Sequence, residues 1–146
     1  MKKTIMLLIL TFSLFSCVRR DYTTVNLDQQ EARLTQHPWK GVSVSRFTGN
    51  HKISQHSLSD VRLQFYPDQH FVKNIGPQTT INGQWELLEQ DGLTVLRIKY
   101  YDEDAGYNII DDFTINILTN DHLEYTKTMH QHSGIEIRDN FFFEKN

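Results

Sequence analysis

From Trp39 to the C-terminus, apolar and polar residues alternate in short runs, and a turn signal separates most neighbouring runs. Val61, Leu63 and Phe65 alternate with Arg62, Gln64 and Tyr66. Ile81, Gly83, Trp85 and Leu87 alternate with Asn82, Gln84, Glu86 and Leu88, and Phe113, Ile115 and Ile117 fall on one face of a longer run. Such a period of two marks strands with one buried face. Pro67-Asp68, Gly76-Pro77, the acidic stretch Asp102–Gly106 and Thr119-Asn120-Asp121 punctuate the runs, and Asp91-Gly92 between two of them is a strong hairpin signal. The reading is eight strands, at 39–47, 60–66, 70–75, 80–89, 93–101, 107–118, 121–128 and 135–144. Gly49-Asn50 and the polar residues up to Ser59 read as a loop, as does the segment holding His130, Gln131, His132 and Gly134. No helical segment lies between strands to carry a crossover, so the sheet must be antiparallel. Eight antiparallel strands in chain order most simply close into an all-β, up-and-down barrel, which removes the exposed edges. A barrel of that size has room for its own side chains or for one small ligand.

The N-terminus has a different grammar. Met-Lys-Lys precedes an apolar run from Ile5 to Phe15, broken only by Thr11 and Ser13. A basic head and a short apolar core form a secretory signal, and the run is too short to span a bilayer. Leu14-Phe15-Ser16-Cys17 resembles the bacterial lipobox, in which the cysteine is diacylated and becomes the mature N-terminus. Cys17 is the single cysteine of the chain, so it has no disulfide partner within it. Acyl chains on Cys17 would anchor the protein to a membrane. The expected organisation is a signal peptide over 1–16, a lipidated tether over 17–30 and one barrel domain over 31–146. Asp28 and Glu31 have the spacing of a capping box for a short helix, Gln29 to Gln36, ended by His37-Pro38. Without residues 1–16, 13 lysines and arginines face 18 acids, a net charge of about −5. That balance argues against nucleic acid as a partner, which rewards clustered cationic charge.

The stretches "LTQHPWKGVSVS", "LQFYPDQHFV", "INGQWEL", "INILTNDHLEY" and "FFFEK" together resemble the lipocalin-like lipoproteins of Bacteroidetes-type bacteria, from about residue 31 to the end of the chain. The resemblance implies an eight-stranded barrel, a lipid-anchored place in the bacterial envelope, with the outer membrane as the leading site, and a small apolar ligand. It brings no catalytic residues and no cofactor.

Trp85, Arg97, Phe113 and Tyr125 are the candidate ligand-binding residues, and Cys17 the lipidation site. Trp39 is expected to plug the barrel floor. Trp85 either lines a cavity or packs in the core. Arg97 either points inward, where a buried cation needs a partner such as a ligand carboxylate, or points outward and pairs across the sheet. His130 and His132 have the spacing of a metal pair but lack an evident third ligand, and no metal is assigned. Asp102, Glu103 and Asp104 do not fit a calcium loop, because Gly106 and Phe113 fall where ligands belong. Asp111 and Asp112 are adjacent on a strand and so point to opposite faces. No nucleophile or phosphate-loop motif occurs, and no enzymatic activity is expected. The leading expectation is a membrane-anchored barrel binding a small apolar or amphipathic ligand. The alternative is a side-chain-filled barrel that binds another envelope protein, with exposed Tyr66, Tyr100, Tyr101 and Tyr107 suited to contact. A hydrolase or isomerase built in the cavity ranks below both.

Overall fold

The computed structural model describes residues 26–146. Cys17, the signal segment and residues 17–25 of the tether lie outside the described residues. One helix and nine strands follow in chain order: α1 (Leu27–Thr35), β1 (Trp39–Thr48), β2 (His51–Ser57), β3 (Val61–Phe65), β4 (His70–Ile75), β5 (Thr79–Gln90), β6 (Leu93–Asp102), β7 (Tyr107–Leu118), β8 (His122–His130) and β9 (Glu136–Lys145). Every pairing is antiparallel, and β1 pairs with β9 along its length, which closes β1 and β3–β9 into an eight-stranded barrel. Asp91 and Gly92 take positive φ, 52° and 76°, as a two-residue turn between β5 and β6 demands.

β2 is the ninth strand, and it corrects the expected loop over 49–59. It pairs with the outer half of β1, from Ser43↔Ser57 to Thr48↔His51. Six of its seven residues are exposed. It therefore has no buried face and no period-two signature, and its pairing comes from the tight turn and the partner strand. Beyond it the chain bends at Leu58–Asp60, and β3 takes over the edge of β1 at Trp39 and Lys40. The bend lies against Gly41, where a Cβ would stand 2.3 Å from the Leu58 carbonyl oxygen, so only glycine admits the contact.

α1 begins two residues earlier than the capping-box spacing indicates. Asn26 is the N-cap, and its side-chain oxygen accepts from the Gln29 amide at 3.0 Å. The helix packs against β3, β5 and β7, with Leu34 buried. Trp39 is fully buried beside it and donates from Nε1 to the Leu34 carbonyl at 2.9 Å. The expected floor plug is thus a helix and a tryptophan joined by one hydrogen bond.

Of three register shifts among the described residues, one lies between β1 and the added strand β2 at Arg46/Phe47, and two bulges within the barrel wall reset the facing of side chains. One falls between Gly41 and Ser43 where β1 meets β9, the other between Ile115 and Ile117 where β7 meets β8. Phe113 and Ile115 face the core as the alternation implies, but the extra residue at Asn116 turns Ile117 out to solvent. A single inserted residue inverts the facing of all that follows.

Candidate functional site

Three places on the barrel have the shape or chemistry of a site: the interior, an outer groove at the bulges, and the outer face of β5–β7.

The interior is filled from the α1 end upward. Leu34, Trp39, Leu63, Phe65, Phe71, Trp85, Leu96, Leu123 and Phe143 form a continuous buried core. Trp85 is packed edge-on to Phe65, with centroids 5.7 Å apart, and donates from Nε1 to the Tyr66 carbonyl at 3.0 Å. Above it lies an aromatic layer, with Phe113 4.8 Å and Phe141 5.2 Å from Tyr125 between centroids. One inward position further from α1, on β7, β8 and β9, stand Asp111, Lys127 and Asp139. Lys127 Nζ is 2.6 Å from Asp111 Oδ1, and Arg46 holds Asp139 through two bonds of 2.7 Å.

Lys73 shares this layer from β4. Asp111 is its nearest source of attraction, but Lys127 already occupies that carboxylate, and no acid lies within 4.0 Å of Lys73 among the described residues. Burial holds the Lys73 ammonium below its ordinary pKa, with Asp111 opposing and Lys127 adding to the effect. Burial likewise pushes the Tyr125 hydroxyl well above its usual range. The space beside Lys73 is about 50 Å³, bounded by Leu63, Phe71, Tyr100, Asp111, Phe113 and Tyr125 among others. Sites for drug-sized molecules run to several hundred Å³. This one has the volume of one or two waters.

Of the sequence candidates, Phe113 and Tyr125 therefore line the interior space, and Trp85 packs below it in the core. Arg97 does not join them. It lies on the outer face, where Nε and Nη2 bind the two Asp112 oxygens at 2.7 and 2.8 Å and Nη1 lies 3.9 Å from Glu86. The bond to Arg97 holds the Asp112 carboxyl below its ordinary pKa. Asp111 and Asp112 face opposite ways as expected. His130 ends β8 and His132 follows in the turn, both exposed, and no three metal-ligating groups converge among the described residues.

The outer groove is the larger feature. It holds about 570 Å³ on the wall formed by β7, β8, β9, β1 and β2. Its apolar lining includes Val42, Ile117 and Phe142, with the buried Leu123 and Phe143 at its base, and its rim carries Lys52, Gln55, His122, Glu124 and Glu144. Val42 and Ile117 are 44% and 46% exposed. Both sit at the bulges, which place two aliphatic side chains in solvent on one wall. Bulges are the usual device for re-aiming a side chain in a sheet.

Sequence reasoning missed this groove and Lys73. The signal for Lys73 was present, since it shares the parity of Phe71 on an otherwise ordinary strand. For the β1 bulge the trace is fainter: the apolar positions move from odd at Trp39 to even at Val42 and Val44.

The fold defines a small closed antiparallel β-barrel with one additional edge strand. Neither a scan against protein-family models nor a search of curated proteins finds a match to the chain.

Proposed function

We propose that the protein is a non-catalytic binding module, anchored to the bacterial envelope through acyl chains on Cys17, that holds another envelope protein against its outer wall. The observation that carries this reading is the contrast between an interior space of about 50 Å³ and an outer groove of about 570 Å³. Two exposed aliphatic residues held in place by bulges, within a polar rim, have the anatomy of a contact patch. The lipobox-like Leu14–Cys17 and the basic, apolar leader support the anchor. The residues around the interior space include one carboxylate, Asp111, and no histidine, which gives acid–base chemistry little to work with.

A photo-crosslinking residue at position 42 or 117, in the lipidated chain in its own membrane, tests the reading. Both positions should yield a covalent adduct with the same envelope protein, and position 89 on the β5–β6 hairpin should not. Absence of an adduct at both groove positions would refute it. Intact-mass measurement of the same material should show the acyl mass on Cys17.

A second reading rests on Lys73. A small amphipathic ligand with an anionic head could enter the barrel, pair with that ammonium and part the aromatic layer around Tyr125. Native mass spectrometry should then show a retained small molecule that Lys73→Met removes.

A further inference from the structure

The outer face of β5–β7 carries a row of side chains that neither the core nor the groove uses. Tyr101 is 56% exposed and pairs with Asn108 on β7. Gly83 pairs with Tyr100, so Asn82 falls beside Tyr101 on the other flank. The next row is Gln84, Lys99 and Ile110, with Ile110 61% exposed. Together these residues line a hollow of about 420 Å³, and Asn82 and Tyr101 also border a second of the same size. The first hollow shares no residue with the groove at the bulges.

We infer that this face is a binding site for a neutral glycan, with Tyr101 as the stacking platform and Asn82, Asn108 and Gln84 as the hydroxyl-reading groups. The chemistry matches part by part. A pyranose ring offers one face of C–H bonds, and the negative face of an exposed phenol ring attracts it. Sugar hydroxyls both donate and accept, and a primary amide is the side chain that does both with fixed geometry. Asn82 and Asn108 flank one ring and Gln84 stands one row on, all three lining the same hollow with their amides free of other side chains among the described residues. The row spans three strands, about 10 Å at the usual strand spacing, which is the length of a disaccharide. Charge agrees as well. Lys99 Nζ is held by Glu86 at 2.9 Å, so the hollow presents no free cation to select an acidic polymer.

The test is affinity electrophoresis of the full chain in mild detergent through native gels containing dextran, mixed-linkage β-glucan, xylan or galactomannan, with alginate as the acidic comparison. At least one neutral polysaccharide should retard the protein, and the retardation should be unchanged between about 0.05 and 0.5 M salt, because no ion pair is involved. Tyr101→Ala should weaken it about tenfold, while Tyr101→Phe, which keeps the ring, should stay within about threefold. Asn108→Ala should weaken it about fivefold through the lost hydroxyl contact. Tyr101 is exposed, so an unchanged melting temperature should accompany each change. Retardation by alginate alone, retardation by no neutral polysaccharide, or a Tyr101→Ala variant that runs like the parent would each overturn the inference.

Discussion

Lys73→Met is the substitution whose outcome depends most on how the barrel is filled. The lysine stem already packs among Leu63, Phe71 and Ile81, and methionine reproduces most of it. What disappears is an ammonium with no acid in ion-pair reach. Taking such a group out of water costs several kcal/mol after relaxation. Lys73 is only partly buried, and Asp111 returns some of that cost. The net gain on substitution should be about 1–2 kcal/mol, or a melting temperature higher by about 3–8 °C. Asp111 is not orphaned, because Lys127 still holds it at 2.6 Å. The pH dependence has a definite sign. In the native state the Lys73 pKa is lowered from 10.5, so across the interval between the native value and 10.5 the unfolded chain binds more protons. Stability therefore rises with pH there in the parent, and the full penalty remains below that interval. Methionine has no such increment, so the advantage of the variant should shrink as pH approaches 10.5. Tyr100 and Tyr125, whose pKa values are raised, oppose this near the same pH but act alike in both proteins and cancel in the difference. Urea unfolding of both proteins from pH 7 to pH 10.5 measures it. A variant less stable than the parent, or a difference independent of pH, would refute the reasoning.

Three further outcomes follow from the packing. Gly83→Ala should destabilise by about 2–3 kcal/mol in urea unfolding, because its Cβ would stand 2.3 Å from the Lys99 carbonyl oxygen and 2.5 Å from Phe71 Cε1. Trp39→Phe should cost about 2 kcal/mol, and hydrogen exchange should show α1 losing protection before β5 and β6, because the bond to Leu34 is gone. By NMR titration Asp112 should ionise below its ordinary 3.8, and Arg97→Gln should return it upward. Its native pKa is depressed, so its contribution to stability is present above 3.8 and is lost as pH falls through the native value.

Much of the barrel was legible because its strands have one wet and one dry face. The alternation at Val61–Phe65, the Asp91-Gly92 turn and the inward Phe113 all follow from that asymmetry. β2 was illegible for the same reason, since a strand with neither face buried writes no period. The bulges were nearly so: Ile115 and Ile117 read as one face, and only the partner strand decides that an extra residue at Asn116 turns the second of them out. Arg97 was open between two facings because its strand is apolar on both sides, and the carboxylates of Asp112 and Glu86 on the neighbouring strands settle it. The interior charges were hidden by a correct rule applied locally. Asp111 and Asp112 do face apart, but the lysine that pairs with Asp111 comes from β8 and Lys73 beside them, unpaired among the described residues, from β4, and nothing local in the sequence brings them together.

A barrel filled by its own side chains leaves no chamber for an acyl chain. Titration of a Cys17→Ser chain, free of detergent, with a fluorescent long-chain fatty acid measures this directly through energy transfer from Trp39 and Trp85. A filled barrel should give no saturable transfer at stoichiometric concentrations. A saturable one-to-one signal that Lys73→Met weakens would contradict it and place the ligand inside.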